Sequence, residues 1–283
     1  MPEVALDLTS LSTKNIENFI EEKIILPTED ERTLSALKIY KKDVSPERWL
    51  LFLPEMAASA ETWKKYLYSL PAKGWGILAL DFPGCGNSTP YEGYKVRKFL
   101  TTIELKDAET ALNMAIELSS ASESSNKVTV PVFGISRGAV AALTLAHTHQ
   151  KISMVVADSP FCSTEVIKAS FKRIGKIYAP EFIVKSIPDF VIHQFVLLAF
   201  GIAGRKNNCS FINLFKVVSS SFKQPVLVIN GLNDKFSTPE HIKTLIDKSK
   251  SNWEQLEIKG AKHNGAVITE PELYQKKITN FLS

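Results

Sequence analysis

Residues 128–142 read Val-Thr-Val-Pro-Val-Phe-Gly-Ile-Ser-Arg-Gly-Ala-Val-Ala-Ala, an apolar run that passes through Gly134-Ile-Ser136-Arg-Gly138 into a segment of small residues with helical character. A serine on a sharp strand-to-helix turn can stand clear of the backbone only if its neighbours two positions away carry no side chain, because strand, turn and helix crowd together there. Gly138, Ala139, Ala141 and Ala142 then let the helix lie close to the sheet. A G-x-S-x-G pentapeptide alone also arises by chance in loops; the strand before it and the helix after it are what give this one weight.

The same alternation extends along the chain. Short runs rich in β-branched residues occupy 22–26, 34–40, 49–53, 76–81, 128–133, 152–158, 225–230 and 253–258, which makes eight expected strands. Helical spacing fills 61–72, 100–119, 136–149, 239–249 and 271–281, with Pro239 and Pro271 in first-turn positions and Thr238 as an N-cap. A polar turn at 28–32 suits an antiparallel hairpin, whereas the later gaps are long enough for helical crossovers. The expected fold class is α/β: an eight-stranded, mostly parallel sheet with helices on both faces.

One interval breaks the rhythm. Residues 161–222 are far longer than a simple crossover, so they are expected to form a helical cap inserted after the sixth strand, with 1–160 and 223–283 as the core. Ile167, Phe171, Ile174 and Tyr178 fall on one face of its first helix, and Lys168, Lys172 and Lys176 run down another. The insertion carries Lys168, Lys172, Arg173, Lys176, Lys185, Arg205, Lys206 and Lys216 against Glu165, Glu181 and Asp189. Its positive excess fits a basic rim around an acyl pocket, a contact with an anionic membrane surface, or a solvated lid.

Composition excludes several classes. A net charge of +4 spread over 283 residues gives no ground for a nucleic-acid partner. Cys85, Cys162 and Cys209 share no metal-ligand spacing and read as reduced thiols. The first residues show no apolar stretch of signal-peptide length, so the expectation is cytoplasmic. The apolar run 190–203 is broken by His193 and Gln194 and is shorter than the ~18 residues of a spanning helix, so no integral membrane segment is expected. His147, His149 and His241 sit at helix ends without a metal context, and neither a metal nor an organic cofactor is expected.

On the G-x-S-x-G context, the chain resembles the α/β-hydrolase superfamily, and within it the branch of monoacylglycerol lipases and serine-aminopeptidase-like esterases. Asp81-Phe-Pro-Gly84-Cys-Gly86-Asn-Ser88 matches a further family element, a loop whose glycines permit tight turns and whose Asp81 can bond loop amides. The resemblance implies triad partners in the order serine, acid, histidine, each after a late strand. Asp234 follows the strand at 225–230 and His263 follows the strand at 253–258, so Ser136, Asp234 and His263 are the expected nucleophile, orienting acid and general base. Asp158 is the reserve acid, read here as a structural carboxylate bonding backbone amides. Cys85 reads as a small loop residue, not a nucleophile.

Such a site hydrolyses a small acyl substrate through an acyl-enzyme, and a carboxylic ester is the expected substrate. An amidase or peptidase, or a non-catalytic ligand-binding homologue, are the alternatives. The oxyanion donors implied are the backbone N–H groups of Arg137 and Met56. In the loop carrying Met56, Pro54 and Glu55 stand where many relatives have His-Gly, and a carboxylate turned inward would repel the oxyanion. The Arg137 guanidinium could bind a substrate anion or form an ion pair within the protein, facing away from the pocket.

Overall fold

The computed structural model describes residues 18–94, 99–122, 128–219 and 222–283; the amino-terminal stretch on which the lack of a leader was read lies outside them. One eight-stranded sheet runs in the order β1 (Phe19–Leu26), β2 (Leu34–Lys41), β4 (Trp75–Leu80), β3 (Arg48–Leu53), β5 (Val130–Ile135), β6 (Ile152–Asp158), β7 (Val226–Gly231), β8 (Glu254–Ile258). β2 is antiparallel to both β1 and β4, and every pair from β4 to β8 is parallel. The parallel arrangement turns the carboxyl ends of β3, β5, β6, β7 and β8 toward the same edge, where β6 ends at Asp158 and the loops carrying Met56, Ser136, Asp234 and His263 emerge.

Helices cover both faces, which is why the central strands β4, β5 and β7 are buried at every position instead of alternating. On one face α2 (Thr102–Ser122), α3 (Arg137–Thr148), α7 (Leu214–Val218) and α8 (Pro239–Ser249) pack against Leu51, Leu53, Val132 and Val228. On the other, α1 (Trp63–Leu67), α9 (Ala266–Thr269) and α10 (Pro271–Leu282) cover Leu50, Phe52, Phe133 and Ile229, with Phe52 stacked on Phe133 at 5.9 Å between centroids. Each such buried side chain contributes roughly 1.5–3 kcal/mol of transfer free energy, so the sheet is a rigid platform for the loops at its edge.

The expected strands all occur, displaced by a few residues at their ends. The helix expected over 61–72 does not: it breaks into a 3-10 turn at Ala60–Thr62, α1, and a second 3-10 turn at Pro71–Lys73. Pro71 has no N–H to continue the helix, and Gly74 at φ 83° turns the chain into β4. Thr238 caps α8 as expected, accepting from His241 N.

Between β6 and β7 lie α4 (Ser163–Tyr178), α5 (Glu181–Ser186) and α6 (Asp189–Lys206), followed by α7. Pro180 and Pro188 stand at the N-caps of α5 and α6 and separate the three. Of the apolar face foreseen on α4, Ile167 is half-buried but Phe171, Ile174 and Tyr178 are exposed, as are Phe182 on α5 and Phe195, Leu198 and Ile202 on α6. No helix among the described residues is long and apolar enough to cross a membrane.

Candidate active site

Ser136 occupies the turn between β5 and α3 with φ 51° and ψ −109°, a backbone conformation that side-chain-bearing residues rarely adopt. The two glycines explain how the turn closes. A Cβ on Gly134 would come within 2.6 Å of Ala139 N, and one on Gly138 would lie 2.6 Å from the Leu53 carbonyl carbon and 2.7 Å from Pro54 O. Gly138 therefore lets α3 touch the loop that carries Met56. Ser136 N–H donates to Asp158 O at 2.8 Å, which ties the turn to the end of β6.

The Ser136 hydroxyl lies 2.8 Å from His263 Nε2, and His263 Nδ1 lies 2.7 Å from Asp234 Oδ2. Asp234 is fixed from behind, its Oδ1 accepting the N–H groups of Phe236 at 2.7 Å and Ser237 at 2.9 Å. Its side chain is fully covered, whereas the His263 side chain keeps 26% of its exposure. The loops after β7 and β8 hold one another: Asn233 N–H donates to Ala261 O at 2.9 Å, and a Cβ on Gly231 would meet the Ala261 carbonyl carbon at 2.7 Å. Ser136, Asp234 and His263, expected from sequence, thus converge in one hydrogen-bonded chain.

Asp158 lies beneath this chain and makes no hydrogen bond to His263 among the described residues. Its oxygens accept the hydroxyls of Ser159 and Tyr274, each at 2.8 Å, so the backbone amides foreseen as its partners are replaced by side-chain hydroxyls. Complete burial pushes its carboxyl up to about 6, against the opposing pull of those two hydroxyls. Ser159 Oγ also accepts Asn264 N–H at 3.3 Å, next to His263.

The loop after β3 carries the Pro54-Glu55 pair. Glu55 accepts the Tyr66 hydroxyl at 3.0 Å, so its carboxylate is held against α1, and Met56 beyond it is exposed. Ala57 at φ 61° and the bond from Ala58 N–H to Glu55 O at 3.3 Å shape the turn. Arg137 follows the internal reading: its side chain is fully covered and pairs with Glu104 at 3.4 Å. Asp81 bonds loop amides as foreseen, accepting Ala60 N–H at 2.6 Å and Asn87 N–H at 2.9 Å. Burial pushes the Cys85 thiol up, and all three cysteines are free.

Sequence reasoning missed the aromatic wall beside His263. Phe236 packs on the imidazole at 4.7 Å, Phe161 on Phe236 at 4.9 Å, Phe99 on Phe161 at 6.0 Å and Phe200 of α6 on Phe99 at 5.9 Å. Phe236 lies two residues after Asp234, and that proximity was its only sequence signal. In the insertion, Lys168 and Lys172 pair with Asp189, Lys168 also with Glu165, and Lys176 and Lys185 with Glu181, which leaves the positive excess of the segment as it was. Those lysines neutralise the insertion's own acids.

Sheet order, strand directions and the serine turn define an α/β-hydrolase. The family model described as serine aminopeptidase, S33, matches residues 45–196, and the chain belongs to that family. The match ends before Asp234 and His263, which rest on geometry. Among solved structures, an esterase of Pyrococcus furiosus is 21% identical with a TM-score of 0.66, over 93% of this chain and 90% of that one. A monoacylglycerol lipase of Paleococcus ferrophilus is also 21% identical, with a TM-score of 0.57 over 88% of this chain and 98% of its own. An α/β hydrolase of a Penicillium species is 16% identical with a TM-score of 0.63, over 93% and 98%. No curated protein matches the sequence.

Proposed function

We propose that the protein is a serine hydrolase that cleaves carboxylic esters of small acyl substrates. The observation that carries the reading is the chain Ser136–His263–Asp234, with links of 2.8 and 2.7 Å on a strained turn. In this reading His263 Nε2 takes the Ser136 proton as Oγ attacks the ester carbonyl, and Asp234 holds the imidazole with Nδ1–H toward its carboxylate and stabilises the imidazolium. The tetrahedral oxyanion is met by the N–H groups of Arg137 and Met56. As it collapses, the C–O bond to the alcohol breaks and His263 returns the proton to the leaving oxygen. Water, deprotonated by His263, then attacks the acyl-enzyme; the carboxylic acid leaves and Ser136 regains its proton.

Support for an oxyanion site in a loop that lacks the usual glycine comes from Glu55, whose carboxylate is engaged by Tyr66. The ester is favoured over the amide by the esterase and lipase among the structural neighbours, and the half-buried Phe236 beside His263 offers an acyl chain apolar contact. We assign α4 to α6 the role of a cap. Its exposed Phe182, Phe195, Leu198 and Ile202, with Arg205 and Lys206 beside them in sequence, suit contact with a lipid surface.

The test is a series of p-nitrophenyl esters from acetyl to decanoyl, run beside aminoacyl p-nitroanilides. The reading expects ester turnover with kcat/KM rising as the acyl chain lengthens. Turnover of the anilides alone would make the protein a peptidase, and turnover of neither would make it a ligand-binding homologue.

A further inference from the structure

The helix that begins at Arg137 is anchored by a buried ion pair with a long reach. The side chains of Arg137 and Glu104 are both fully covered, with Nη1 3.4 Å from Oε1, and the guanidinium lies 4.8 Å over the Phe82 ring. Glu104 collects further donors: the Tyr94 hydroxyl at 2.6 Å on Oε1, and on Oε2 the Thr101 N–H at 2.9 Å together with the Thr101 hydroxyl. Thr101 forms a β-bridge with Phe211, Thr102 N–H donates to Ser210 O at 2.9 Å, and Ile212 N–H donates to Leu100 O at 3.0 Å. Residues 100–102 are thus stitched to 210–212, the stretch through which the insertion returns to the core.

A buried ion pair is a poor way to gain stability, since well-packed apolar side chains often serve equally well or better. What a planar guanidinium held on an aromatic ring and a carboxylate with several donors does supply is a fixed position. The N–H of Arg137 needs one: an oxyanion donor works only at about 2.7–3.1 Å from the developing charge, and a misplacement of about 1 Å can cost roughly a hundredfold in rate. We infer that Glu104 is a positioning residue which, through the Arg137 side chain, holds the Arg137 backbone N–H in place for the oxyanion. The inference rests on the proposed hydrolase reading, in which that N–H is a donor. Glu104 itself touches no reacting atom.

The test compares wild type with Glu104→Gln, using a hydrolysed p-nitrophenyl ester and a trifluoromethyl ketone with the same acyl chain. The ketone forms a hemiketal oxyanion on the serine and so reports the donors directly. Glu104→Gln should lower kcat about ten- to hundredfold, leave KM within about twofold, and weaken ketone binding by the same factor as kcat/KM. If Glu104→Gln does not fold, Tyr94→Phe decides; it keeps both charges and removes one hydrogen bond, and it should lose a few-fold in kcat and in ketone affinity together. Unchanged kcat and ketone affinity, a loss confined to KM, or a kcat loss without loss of ketone affinity would each overturn the inference. A wild-type protein that neither turns over esters nor binds the ketone would overturn the hydrolase reading and this inference with it.

Discussion

The sheet edge around Ser136 and the helical insertion between β6 and β7 are built on different terms. At the edge, position is over-determined: two glycines admit only a hydrogen as side chain, Asp234 is gripped by two amides, and the loops after β7 and β8 bond to each other. In the insertion, the pairs of Lys172 with Asp189 and Lys176 with Glu181 are solvent-facing, and apolar side chains such as Phe182 and Phe195 are largely exposed. The first arrangement stores strain against a rigid core, and the second leaves a surface free to adapt to what lies on it. Substitutions at the edge should therefore cost far more than substitutions in the insertion.

The largest effect should come from Asp234→Asn, which leaves the packing intact but offers His263 the wrong hydrogen-bonding partner. A loss of about 10⁴ in kcat is expected, by analogy with the loss seen when a triad aspartate is so replaced. Asp158→Asn should leave kcat within about tenfold of wild type, since its partners are Ser159 and Tyr274. Steady-state kinetics on one ester decide between the two acids, and the reverse order would exchange their roles.

Gly138→Ala tests the packing of the turn. Its methyl would strike the Leu53 carbonyl, so urea unfolding should show a loss of about 3 kcal/mol or more, because backbone must move. A loss under about 1 kcal/mol would mean that the turn is looser than described.

A smaller effect should appear as a pH dependence of Asp158. Its folded value of about 6 lies above the usual 3.8, so protonation favours the fold: the contribution is complete below about 3.8 and is lost as pH rises through 6. Between pH 5 and 7.5 wild type should lose about 1.5 kcal/mol that Asp158→Asn does not lose. Parallel stability curves for the two proteins would show that Asp158 is ionised throughout.

The smallest effect is expected in the insertion. Lys172→Gln breaks an exposed pair with Asp189 and should leave stability within about 0.5 kcal/mol of wild type.

Legibility in the sequence followed the same division. Strands buried on both faces write themselves as continuous apolar runs, and Gly134, Ser136 and Gly138 stand at a spacing that sterics impose, so the edge of the sheet could be read closely. Asp234 and His263 stood out only through the family resemblance, which implies an acid and a histidine after the late strands that each of them follows. The break of the helix at Pro71 is also written in the sequence, since proline has no N–H to continue it. What could not be read was contact across distant segments: Glu104 under Arg137, Tyr274 on Asp158, Phe236 on His263. In the insertion, helical periodicity on α4 foretold an apolar face correctly but not that Phe171, Ile174 and Tyr178 would lie open, because periodicity marks a face and not its cover.

The central claim is that Ser136 is the nucleophile, and covalent labelling tests it most directly. Wild type and Ser136→Ala are each treated with a fluorophosphonate, and the modified residue is located by mass spectrometry of the peptides. The account predicts one adduct per wild-type chain, on Ser136, and none on Ser136→Ala while its cooperative unfolding is kept. An adduct of equal yield on Ser136→Ala, or a wild-type adduct on another residue, would contradict it.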